Sequence, residues 1–107
     1  MALRHAEPGE VVNLRPLGAN LTSAKTAALV KLDRFEAVRL IVRAGATIPS
    51  HEVPGYITLH CLEGQVTLLP SAVVRGAGEW IFLGRGEPHS IRGIEDSSLL
   101  FTIFFDE

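Results

Sequence analysis

Between Glu36 and Ala44 apolar and polar side chains alternate, with Val38, Leu40 and Val42 on one parity and Arg39 and Arg43 on the other. A period of two marks a strand with one face in a core and one toward water. Over Tyr56 to Leu62 the same pattern sets Ile57, Leu59 and Cys61 against Thr58 and His60, and the run Gln65 to Leu69 starts directly after Glu63-Gly64. A hairpin turning at Glu63-Gly64 is predicted, because glycine supplies the positive φ that tight turns require. Glu79 to Leu83 and Ser98 to Phe105 add two strands, with a short one near Ser90 to Arg92 inside a Gly-, Pro- and charge-rich loop. Thr26 to Val42 carries enough Ala, Leu, Lys, Arg and Glu to form a helix on propensity. Asp33-Arg34 splits it into two apolar runs, however, and no C-cap precedes Gly45, so it reads as strand, turn, strand. Short strands at close spacing predict an all-β sandwich or barrel. Trp80, Phe82, Phe101, Ile103 and Phe105, at strand spacing, are assigned to core or intersheet packing.

A chain of 107 residues is one domain's worth, and 47% hydrophobic with 21% charged residues excludes the composition that stays disordered. Met1 to Pro8 reads as a flexible tail ahead of a single domain over 9–107. The net charge of −2 lacks the basic excess a phosphate backbone requires, so no nucleic-acid partner is expected. Residues 1–50 hold seven basic and four acidic side chains and residues 51–107 hold three and eight, an asymmetry assigned to solvated faces. The apolar stretches fall short of the roughly 20 residues of a membrane span, and Met1 to Glu10 has no signal-peptide core. No membrane association and a cytoplasmic location are expected. Cys61, the single cysteine, has no disulfide partner and reads as a small buried hydrophobe in a reducing compartment.

Three histidines beyond the tail, His51, His60 and His89, carry the chemical information. Gly45, five residues, His51 and then thirteen positions to Gly64 form one block. Gly78, five residues, and Gly84-Arg85-Gly86-Glu87-Pro88-His89 form a second. In this order the two blocks resemble the two motifs of the cupin superfamily, in particular the small single-domain bacterial cupins of RmlC-like type. The resemblance runs from about Ala27 to Phe105 and includes Ile48-Pro49-Ser50-His51, Pro54-Gly55, Leu62-Glu63-Gly64 and the closing Glu95-Asp96-Ser97-Ser98-Leu99-Leu100. It implies a double-sheet jelly-roll barrel of eight to ten strands, with 9–107 as a single cupin domain.

Metal-binding cupins supply two histidines and a glutamate from the first motif and one histidine from the second. Here the resemblance maps these positions onto His51, Val53, Ile57 and His89, so two of the four donors are replaced by aliphatic side chains. Divalent metals held by protein usually take three or four donors, so the expected cofactor is none or a weakly bound Zn, Ni, Fe or Mn on His51 and His89. Cys61 shares the parity of Ile57 but lies roughly 13 Å further along the strand, too far to ligate in the same place. His60, on the opposite parity, is expected at the surface or a dimer interface, and Glu52 and Glu63 as solvated carboxylates. Arg85 and Glu87 flank Gly86 in the loop near the open end.

Two functions follow from this pattern. One is a non-catalytic, metal-poor barrel that binds a small molecule between the imidazoles of His51 and His89 and an apolar wall of Val53, Ile57 and Leu59. A small organic acid is the expected ligand, since protonated imidazoles attract a carboxylate. The other is a metal-dependent cupin enzyme of dioxygenase or isomerase type, with waters or substrate completing the site on His51 and His89. Catalytic residues are not assigned. Both parities of Ser98 to Phe105 are apolar, which calls for cover on both faces and predicts a homodimer.

Overall fold

In the computed structural model, which describes residues 5–49, 54–70, 72–85 and 89–105, the predicted strand, turn, strand over Thr26 to Val42 is present as β1 (Ala27–Lys31) and β2 (Phe35–Val42). Leu32, Asp33 and Arg34 separate the two, closed by the Leu32 N–H donating to the Phe35 carbonyl at 2.8 Å. The β-branched and apolar positions of β2 gain cross-strand partners on both sides, a context that overrides helix propensity. After β3 (Thr47–Ile48) come β4 (Gly55–Glu63), β5 (Gln65–Leu69), β6 (Val73–Gly76), β7 (Trp80–Leu83), β8 (Ser90–Gly93) and β9 (Ser97–Phe105). All strand pairs are antiparallel, in a five-stranded sheet ordered β1-β2-β9-β4-β7 and a four-stranded sheet ordered β3-β8-β5-β6. The fold class is the expected all-β, two-sheet jelly roll. The two-residue β3 and the strand β6 carry too little alternation to stand out in the sequence.

The turn at Glu63-Gly64 corrects the predicted hairpin. β4 lies in the larger sheet and β5 in the smaller, so this tight connection passes from one sheet to the other and the two strands do not pair. Gly64 sits at φ 89°, and a Cβ there would overlap the Ser97 hydroxyl and the Asp96 carbonyl, so both conformation and close approach require glycine.

Val42, Leu59, Cys61, Val66, Leu68, Ile91 and Leu99 form the centre of the core between the sheets, with Leu68 entirely excluded from solvent. Ser97 and Ser98 are buried beside them and are hydrogen-bonded, as buried hydroxyls must be. Ser97 Oγ lies 2.8 Å from the Glu95 carbonyl and 3.0 Å from that of Gln65, and Ser98 Oγ accepts from Arg39 Nε at 2.7 Å.

The segment before β1 is fastened to the larger sheet by charged side chains. The Glu63 carboxylate accepts from the Leu17 and Gly18 N–H groups, both at 2.9 Å, just where a 3-10 helix begins (Gly18–Ser23). Arg39 donates to the Arg15 carbonyl at 2.7 Å, and Arg43 donates to the carbonyls of Leu21 and Ala24 at 2.8 Å each. Leu21 is buried beneath this strap. Glu63 is therefore a structural acceptor, which corrects the expectation of a solvated carboxylate.

Candidate functional site

Strand pairing aligns the inward side chains of the larger sheet in rows. Glu36, Ile103, Ile57 and Leu83 are consecutive cross-strand neighbours on β2, β9, β4 and β7, and Val38, Phe101, Leu59 and Ile81 form the next row. A third row, Leu40, Leu99 and Cys61, lies deeper. The first two rows, except Ile81, and Leu40 from the third line a cavity of about 410 Å³. Phe105 also lines it, and the opposite wall comes from the smaller sheet and its approach, with Ile48, Pro49, His89 and Ile91. This volume is in the range of small-molecule sites, and an apolar lining with a few polar groups is their usual composition.

The structure thus places Ile57, Leu59 and His89 around one cavity. His51 and Val53, with Glu52 and Glu87, lie outside the described residues. His89 immediately precedes β8, is partly buried, and holds its Nδ1 out of solvent. Ile57 is buried, so an aliphatic chain occupies the position the resemblance gives to the glutamate ligand. Among the described residues no three His, Cys, Asp or Glu side chains come together in a metal-holding group, so these residues alone do not compose the four-donor centre. Arg85 is exposed at the end of the described part of its loop.

Cys61 is outside the cavity. Its Sγ donates weakly toward the Glu63 and Gly64 carbonyls at 3.6 Å, and burial pushes its pKa up, with the negative charges of Glu79, Glu63 and Glu95 adding to the shift against the lowering effect of the Glu63 backbone contact. His60 faces outward, between Trp80 and Leu100 on the neighbouring strands.

Two assignments change. Trp80 and Phe82 are 59% and 55% exposed on the outer face of the larger sheet, not packed in the core, because their parity on β7 is opposite to that of Ile81 and Leu83. Glu36 belongs to the cavity wall and was missed, although it shares the parity of Val38, Leu40 and Val42. The alternation was the available signal, and a charge at the strand's first turn of the pattern masked it.

No family model and no curated protein matches the chain. Solved structures do. A conserved protein of unknown function from Streptococcus pyogenes matches at a TM-score of 0.74 and 18% identity, covering 100% of this chain and 96% of that one. A cupin superfamily protein from Desulfitobacterium hafniense gives 0.75 at 16% identity over 90% and 95% of the two chains. The polyketide cyclase RemF from Streptomyces resistomycificus gives 0.65 at 26% identity over 76% of this chain and 64% of its own. These neighbours and the sheet topology identify the fold as that of the cupins, RmlC-like members included.

Proposed function

We propose that this cupin-fold chain binds a small, largely apolar molecule in the cavity between its two sheets, with His89 as a polar contact and no tightly held metal. The observation that carries this reading is the cavity itself, apolar on both walls and bordered by one of the two motif histidines. The aliphatic Ile57 at a ligand position supports the metal-poor part of it. We take the working unit as a homodimer in a reducing, cytoplasmic setting, in keeping with the lone reduced Cys61; among the described residues no helix is long and apolar enough to cross a membrane.

A second reading, a cupin enzyme using His51 and His89 with a metal, draws on the likeness to a polyketide cyclase. Metal analysis of the purified, untagged protein separates the two. Substoichiometric metal is expected after expression in iron-, nickel- or zinc-supplemented medium. About one equivalent of a single metal, lost on His89→Ala, overturns the metal-poor reading.

A further inference from the structure

Glu36 is the one carboxylate on the cavity wall among the described residues. It is the second residue of β2, and its side chain is 21% exposed. Its Oε1 lies 3.9 Å from Lys31 Nζ, the cross-strand partner on the edge strand, too long for a hydrogen bond. Lys31 is 67% exposed and does not line the cavity. The Glu36 carboxylate therefore accepts no hydrogen bond from any described residue, and water reaches it from the open side. Its row neighbours, Ile103, Ile57 and Leu83, offer no donor.

A ligand that fills the cavity displaces that water. Desolvating a carboxylate without a hydrogen-bond donor is strongly unfavourable, so an occupant must either supply a donor or bind poorly. A carboxylic acid at neutral pH supplies a second negative charge instead, which a low-dielectric wall penalises further. Resting on the small-molecule reading above, we propose that Glu36 sets the ligand class: an apolar, ring-sized body bearing a hydroxyl or amino group that donates to the Glu36 carboxylate. Acids are excluded by the same residue, which replaces the organic acid expected from the histidines alone.

The test uses four compounds of one shape, 2-methylnaphthalene, 2-naphthol, naphthalen-2-ylmethylamine and 2-naphthoate, titrated at pH 7.5 into the parent and Glu36→Gln. Naphthol or the amine should bind the parent about tenfold or more tighter than naphthoate. Preference for the amine identifies a cationic ligand class, and preference for naphthol a neutral one. Glu36→Gln should raise naphthoate affinity, weaken the amine and leave methylnaphthalene unchanged. Naphthoate binding the parent as tightly as both naphthol and the amine overturns the assignment, even if the variant does not fold. An unaltered order of affinities in a folded variant overturns it as well. If methylnaphthalene binds while the other three do not differ, only the role of Glu36 fails. If none of the four binds, the cavity-binding reading fails and the inference with it.

Discussion

Burial holds the Cys61 thiol above the ordinary thiol range, because Cys61 and its neighbour Leu99 in the third inward row are closed to solvent while the first two rows and Leu40 open onto the cavity. Thiolate is the reactive form, so this cysteine should be inert at neutral pH. At pH 7.5 its alkylation by iodoacetamide should be about 100-fold or more slower in the folded protein than in urea, since reaction requires opening of the core. Equal rates would mean that the thiol is accessible. The raised value also has a stability consequence with a definite sign. Above about pH 8.5 the unfolded chain releases the thiol proton while the folded chain retains it, so the contribution is fully present below that pH and is lost as pH rises. Cys61→Ala or Cys61→Ser should flatten the alkaline decline in denaturation midpoint.

Arg39, Arg43 and Glu63 tie the segment before β1 to the larger sheet, and a charged face written at strand period thereby becomes an anchor. Removing the Glu63 acceptor leaves two N–H groups at the start of the 3-10 helix unsatisfied. Glu63→Ala is expected to lower unfolding free energy by about 1–2 kcal/mol and to speed proteolysis within residues 13–24, with Glu63→Gln milder because it keeps one carbonyl acceptor. Chemical denaturation and limited digestion measure both, and a variant indistinguishable from the parent would show that the strap is held by the arginines and Leu21 alone. None of this was legible in the sequence, because hydrogen bonds from side chains to distant backbone leave no periodic trace. The strands with clean alternation, β2 and β4, were legible, as was the long apolar run of β9. The pairing was not: Glu63-Gly64 reads locally as a hairpin, and only the competition among sheet partners sends β4 beside β9 and β7. For the site, alternation correctly aimed Ile57 and Leu59 inward, whereas at Glu36 polarity and parity disagree, and the alternating pattern assigns Val38, Leu40 and Val42 to one face without it.

At the scale of the molecule, the accessible surface is 6637 Å². A folded monomer of 11.6 kDa is expected to expose about 5,800 Å², an excess of roughly 800 Å². Part of it lies along residues 7–16, exposed except for Leu14, and another part on the outer face of the larger sheet. Phe35, Phe104, Tyr56 and Phe82 form an aromatic row across β2, β9, β4 and β7 on the outer face of the larger sheet, with Phe35 and Phe104 centroids 5.3 Å apart and Tyr56 stacked on Phe82 at 5.7 Å. Trp80 adds to it, and Tyr56, Phe82, Phe104 and Trp80 are all 39% exposed or more. Between them stand uncharged Thr58 and Thr102, and Arg39 is engaged by the strap, so two such faces can meet without opposing like charges. A second copy is the occupant this favours: a two-fold interface uses the same patch twice, and about 800 Å² per partner is the standard size of a stable one. Light scattering after size exclusion should return twice the 11.6 kDa chain mass at micromolar concentration. Trp80→Asp combined with Phe82→Lys should return a folded chain of single mass, because a charge buried in an aromatic interface is unfavourable by several kcal/mol while the same charge on a free sheet face is not. A parent protein of single mass would overturn the dimer. A double variant that still dimerises would move the interface off this face, and cavity binding retained in the monomeric variant would show that the site is complete within one chain.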